Sequence, residues 1–132
     1  MLRRIILGLL LLGAAGGFVF ALNSSETETE PRFTDSAILA VYPGQGELEL
    51  RQTRIGVELD VAYTAVLAID GIEIPEDQHE REPALGQVFY TPGPDKETGE
   101  LEPGRHCATA YLWRYDETRE DARQFSWCFN LH

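Results

Sequence analysis

No nucleophile elbow, zinc-binding histidine pair or phosphate-cradling glycine loop occurs in this chain, and those absences remove the usual sequence routes to catalysis. The three histidines are scattered: His79 lies in a charged stretch, His106 at the entrance of a strand-like run and His132 at the last position. The few serines and the two cysteines offer no activated nucleophile by sequence. No enzyme activity, catalytic residue, cofactor or metal site is expected. Helical periodicity is also missing: beyond the first residues no stretch repeats apolar positions over three turns, which excludes a helical bundle. Basic charge is scarce, with 11 Lys and Arg against 22 Asp and Glu. Such a surface repels phosphate backbones, so nucleic acid is not a partner; the ordinary role of the excess charge is solubility.

One long apolar run is present. Arg3 and Arg4 lead into 18 uninterrupted apolar residues, Ile5 to Leu22, close to the shortest helix that crosses a hydrocarbon core. The flanking arginines hold the N-terminus in the cytoplasm, because no Lys or Arg follows until Arg32, and the rest of the chain therefore faces outward. Residues 1–22 read either as a signal anchor or as a signal peptide cleaved after Ala21, in Val19-Phe20-Ala21. Phe18 and Phe20 keep the run apolar to its end and favour the anchor. Since no cysteine closes the run, a lipoprotein anchor is excluded. The expected location is the cell membrane, single-pass with the C-terminal domain outside the cytoplasm, or secretion if the leader is removed. Residues 23–35 begin with Asn-Ser-Ser-Glu-Thr-Glu-Thr-Glu-Pro and read as an acidic, solvated linker. The leader carries two arginines and no acid, so 9 basic and 22 acidic side chains remain, a formal charge of −13.

Residues 36–132 suffice for one small domain. Short β-like segments alternate with Gly, Pro and Asp: Ala37 to Tyr42, Glu47 to Leu50, Arg54 to Leu59, Tyr63 to Ile69, Ile72 to Ile74 and Gln87 to Thr91. Tyr63 to Ile69 is apolar on both faces and reads as central, and it stops at the turn pair Asp70-Gly71. Glu76 to Gly86 and Pro92 to Gly104 read as exposed polar loops. Glu73, Glu76, Asp77, His79, Glu80 and Glu82 are rich in oxygen ligands, but their spacing fits no calcium loop and lacks its turn glycine. The same holds for Asp95 and Glu97, and both stretches read as solvated charge.

The last two segments, Arg105 to Tyr115 and Ala122 to Leu131, flank a polar turn. Centring that turn on Glu117-Thr118 makes opposed residue numbers sum to 235, since antiparallel partners keep a constant sum. Cys107 then faces Cys128, and in an oxidising, exported location this pair is expected to form a disulfide; the alternative, two reduced cysteines packed as small hydrophobes, would require a different register. Ala108 faces Trp127 and Ala110 faces Phe125, small against large. Alternation puts Ala108, Ala110, Leu112, Phe125, Trp127, Phe129 and Leu131 into the core. Cys107, Thr109, Tyr111, Trp113, Tyr115, Ser126 and Cys128 take the outer face. Tyr111, Trp113 and Tyr115 are the candidate binding residues, because aromatic rings supply large contact area at low entropy cost. Cover by the charged loop, by the tether, or by a second sheet if the two faces are reversed, is the structural alternative for them.

Turn signals and about seven strands point to an all-β sandwich. At Leu67-Ala68-Ile69-Asp70-Gly71, Pro103-Gly104-Arg105-His106 and Ser126-Trp127-Cys128-Phe129 the chain resembles the bacterial immunoglobulin-like domains of cell-envelope proteins. That resemblance covers Ser36 to His132 and rests on structural punctuation, so it implies an immunoglobulin-like β-sandwich and no activity. Unlike antibody-type domains, the chain has its cysteines on the last two strands and no Trp in Tyr63 to Ile69. The functional expectation is a non-enzymatic envelope protein displaying an interaction or structural domain to an envelope or extracellular protein. The alternative is a ligand-binding module in which a glycan stacks on the aromatic face of the last hairpin. A third, weaker expectation is an acidic calcium-dependent adhesin.

Overall fold

The computed structural model describes residues 4–9 and 33–132. Residues 4–9 are helical and belong to the first part of the apolar leader. The remainder of the leader, the cleavage position at Ala21 and most of the linker lie outside the described residues. Among the described residues no helix is long and apolar enough to cross a membrane.

Phe33–His132 forms a compact unit. Its strands are β1 (Ile38–Tyr42), β2 (Leu48–Glu49), β3 (Ile55–Leu59), β4 (Tyr63–Ile69), β5 (Ile72–Glu73), β6 (Glu80–Glu82), β7 (Gln87–Tyr90), β8 (Gly104–Arg114) and β9 (Arg123–Leu131). They make two sheets, one in the order β1-β3-β7-β6 and the other in the order β2-β9-β8-β4-β5. Neighbours are antiparallel except β2, which runs parallel to β9.

Alternation decides which side chains meet between the sheets. Ile55, Val57 and Leu59 of β3, Ala65, Leu67 and Ile69 of β4, and Ala108, Ala110 and Leu112 of β8 are buried in one cluster with Trp127, Phe129 and Leu131 of β9. Each fully buried large apolar side chain contributes about 1.5–3 kcal/mol. The β8–β9 register is the one expected from the sequence: Cys107 opposes Cys128, Ala108 opposes Trp127 and Ala110 opposes Phe125. Phe33 packs edge-on against Phe125, with centroids 5.6 Å apart. Asp35 accepts two hydrogen bonds from Arg123, at 2.9 and 3.0 Å. Packing therefore starts inside the stretch read as linker.

One sequence expectation needs correction. The span Glu76 to Gly86, read as a loop, holds two short 3-10 turns, Glu76–Gln78 and Pro83–Leu85, with the edge strand β6 between them. A strand with no buried residue leaves no hydrophobic alternation to read, and its Glu-Arg-Glu sequence is the charged composition that protects an edge. β4 is an interior strand, as its two apolar faces led one to expect: it lies between the longer β8 and the two-residue β5.

Two glycines are required by their surroundings. Gly86 has φ +65°, and a Cβ there would lie 1.9 Å from the Leu59 carbonyl oxygen. At Gly56 a Cβ would lie 2.2 Å from the Val88 carbonyl oxygen and 2.7 Å from the Phe89 ring. The turn pair Asp70-Gly71 has φ +50° and +81°, as a two-residue hairpin turn with positive φ at both positions demands.

Candidate functional site

The outer face of the five-stranded sheet carries the aromatic residues that the sequence singles out. β8 holds Tyr111 and Trp113 half-buried, while Tyr115, one residue past its end, is 56% exposed. Across the strands Tyr111 lies between Val66 and Gln124, Trp113 opposes Thr64, and Thr109 lies between Ala68 and Ser126. The Thr109 and Ser126 hydroxyls share a hydrogen bond of 2.8 Å. Rings, short hydroxyl side chains and one amide thus occupy the same face.

One border of that face is fixed by the β8–β9 connection. A 3-10 turn at Arg119–Asp121 is held by a capping box with Thr118, which satisfies donors at its start reciprocally. Arg119 reaches β5 and pairs with Glu73. Both residues line a shallow depression of about 260 Å³ together with Val66, Ile74, Pro75 and Glu76. Val66 points to the outer face yet is 6% exposed, so part of the apolar strip next to Tyr111 is already shielded.

The disulfide between Cys107 and Cys128 is formed, with Cα atoms 4.0 Å apart. That spacing belongs to a non-hydrogen-bonded pair, whose backbone groups point away from each other. Here those groups find specific partners. The Cys107 N–H donates to Asp70 Oδ1 at 2.9 Å, and the Asp70 N–H donates to the Cys107 carbonyl at 2.8 Å. On the other side the Cys128 N–H donates to Gln45 Oε1 at 3.0 Å, and the Gly46 N–H donates to the Cys128 carbonyl at 2.8 Å.

His106 joins this row. Its Nδ1 lies 2.5 Å from Asp70 Oδ2 and its Nε2 lies 2.6 Å from the Glu102 carbonyl oxygen. Both partners are acceptors, so the ring makes both bonds only as the imidazolium. Partial burial works against the charge, but the Asp70 hydrogen bond and then the Glu102 carbonyl outweigh it, and the pKa is raised above the usual histidine value. The Asp-Gly and Pro-Gly-Arg-His signatures, separate in the sequence, are thus one interlocked structure.

His79 performs the opposite service. Its Nε2 accepts a hydrogen bond from the Leu67 N–H, and its Nδ1 donates to the Pro75 carbonyl, both at 3.0 Å. The Ile74 N–H completes Leu67 by donating to its carbonyl at 2.9 Å. The imidazole therefore substitutes for a strand partner along β4, and only the neutral ring can accept there. Burial, then the nearby Arg81, lowers its pKa, against smaller raising effects of Glu76 and Pro75. Arg81 itself binds both carboxylate oxygens of Glu76, at 2.8 and 2.9 Å, and donates to Thr64 Oγ1 at 2.9 Å. Within the acidic stretch Glu73, Glu76 and Glu80 are thus paired with Arg119, Arg81 and Arg54, and among the described residues no three His, Cys, Asp or Glu side chains converge as a metal site.

A second aromatic cluster escaped the sequence reading. On the outer face of the four-stranded sheet Tyr42, Gly56 and Phe89 lie side by side on β1, β3 and β7. The Tyr42 and Phe89 rings have centroids 5.5 Å apart. Arg54 lies 4.3 Å over the Phe89 ring and pairs with Glu80 at 3.0 Å. The available signal was the run Val88-Phe89-Tyr90: with Val88 and Tyr90 inside, Phe89 must point out. No protein-family model matches the chain, and no curated protein matches it.

Proposed function

We propose that the chain is a non-enzymatic, outward-facing envelope protein, anchored by Ile5 to Leu22, whose domain is an immunoglobulin-like sandwich serving as an interaction module. Strand order supports the fold assignment. Reading β1, β3, β4, β5, β6, β7, β8 and β9 as strands A, B, C, C′, D, E, F and G, the sheets become A-B-E-D and G-F-C-C′, with β2 added in parallel beside G, which supports an immunoglobulin arrangement. The bridge then joins F to G within one sheet, where antibody domains join B to F across two.

The observation that carries the functional reading is the aromatic strip on the outer face of the five-stranded sheet. Tyr111 and Trp113 keep part of their rings accessible among Thr64, Gln124 and Thr109, and Tyr115 extends the strip at the strand end. Large rings that are partly pre-ordered by their strand lose little freedom on contact, which suits a protein partner outside the cytoplasm. The hydroxyl pair Thr109–Ser126 beside the rings favours a second reading, stacking of a glycan.

Capture experiments with the full chain in detergent micelles separate the two. Host surface proteins and cell-wall polysaccharide are offered to wild type and to Trp113→Ala. Retention of a protein that falls at least several-fold with Trp113→Ala supports the protein interaction at this face. Retention of a glycan that disappears with the substitution establishes the second reading. Binding that ignores Trp113 removes this face from both.

A further inference from the structure

The four-stranded sheet carries an acidic, aromatic groove at its β1 edge, on a different surface from the strip discussed above. The groove has a volume of about 470 Å³, and Tyr42, Pro43, Glu47, Glu49, Arg54 and Phe89 line it. We propose that it receives the cationic side chain, arginine or lysine, of a basic segment in a partner protein, with the cation against the Tyr42 ring and Glu49 as counter-charge.

Three features of the groove argue for that chemistry. The first is the glycine at position 56. With no Cβ there, the Phe89 ring lies close over β3 and comes beside Tyr42, so the floor consists of two ring faces. Ring faces attract cations through their quadrupole. The second is that this floor already holds a guanidinium: Arg54 lies over Phe89, steadied by Glu80, which also accepts from the Thr91 hydroxyl at 3.0 Å. Phe89 is thereby covered, at 6% exposed, while Tyr42 is 42% exposed and presents the neighbouring ring to the groove.

The third feature is charge. Among the described residues five arginines are in ion pairs, with Glu80, Glu76, Asp116, Glu73 and Asp35, and Glu49 has no such pair. Glu47 is fixed in place by accepting the Gly44 N–H at 2.9 Å. Two carboxylates thus face an exposed ring in a chain whose acids outnumber its bases two to one, 22 against 11. An incoming cation meets complementary charge and a π-face together. The one cation in the lining, Arg54, is already paired with Glu80 and stacked on Phe89, so an anionic or neutral ligand would leave Glu49 without a counter-charge.

The test uses the isotope-labelled full chain in detergent micelles and the peptide acetyl-Arg-Gly-Arg-amide, with the uncharged citrulline peptide as its isosteric control. Saturable shifts at the Tyr42, Glu49 and Phe89 resonances with the arginine peptide, and none with the citrulline peptide, are the expected result. Tyr42→Leu keeps the apolar bulk but removes the π-face, and Glu49→Gln removes the counter-charge. Each should weaken binding roughly 5-fold or more. Unchanged melting temperatures in both variants show that the fold is intact. Shifts spread over the acidic surface and insensitive to Tyr42→Leu would overturn the proposal, as would equal binding of the citrulline peptide. Loss of binding by Trp113→Ala with Tyr42→Leu unaffected would move the cation to the other sheet and also overturn it.

Discussion

Two histidines with opposite electrostatic tasks set the pH response at single residues. His106 has its pKa raised from the ordinary 6.5, so its stabilising contribution is complete below 6.5 and is lost as the pH rises through the higher folded value. His79 has its pKa lowered from 6.5, so its contribution is complete above 6.5 and is lost as the pH falls through the lower folded value. Urea unfolding from pH 5 to pH 8 separates them. The deficit of His106→Gln relative to wild type should be largest at pH 5 and shrink towards pH 8. That of His79→Ala should run the other way, reaching about 1–3 kcal/mol at pH 8, where the Leu67 N–H is left without its acceptor. Parallel pH profiles for the two variants would refute the protonation states derived from their partners. Neither role was legible in the sequence, since the Leu67–His79 and Asp70–His106 bonds join residues 12 and 36 positions apart and no local pattern records such a pairing.

Among the elements, the β8–β9 hairpin and the β3–β7 pair make testable demands. The disulfide joins residues 21 positions apart, and a loop of that size is worth about 3 kcal/mol in the chain-entropy account. Reduction, or the double substitution Cys107→Ala with Cys128→Ala, should lower the unfolding free energy by about that amount in denaturant titration. Intact mass before and after reduction reports the two hydrogens gained. In the β3–β7 pair the close approach at Gly56 leaves no room for a methyl group. Gly56→Ala should cost about 1–3 kcal/mol, read from the same titration, because the Val88 backbone or the Phe89 ring must move. The hairpin register was readable because the large-small pattern and two cysteines agree on one alignment. β6 was not, because an all-charged edge strand is specified by the neighbour it pairs with.

At the level of the whole molecule, acid excess dominates. The chain carries a formal charge of −11, and self-repulsion of that size destabilises a compact state while keeping it soluble. Adding salt screens both this repulsion and the exposed ion pairs, which individually contribute little. The unfolding midpoint should therefore rise between low salt and about 0.5 M sodium chloride, where the screening length falls below roughly 5 Å. A falling midpoint would mean that the arginine pairs outweigh the net charge.

The sequence by itself determined the β-rich class, most strand positions, the inward and outward faces of the last hairpin, and the Cys107–Cys128 bridge. Each of these follows from local rules: alternation has period two, turns need particular residues, and antiparallel register is fixed once one pair is known. Tertiary structure alone decided which strands became edges and that His79, His106 and Asp70 act as backbone partners. It also brought Tyr42 beside Phe89 across Gly56. These depend on contacts between residues far apart in the chain, where no periodicity records the pairing and the closeness of two segments is set by the packing of a shared core.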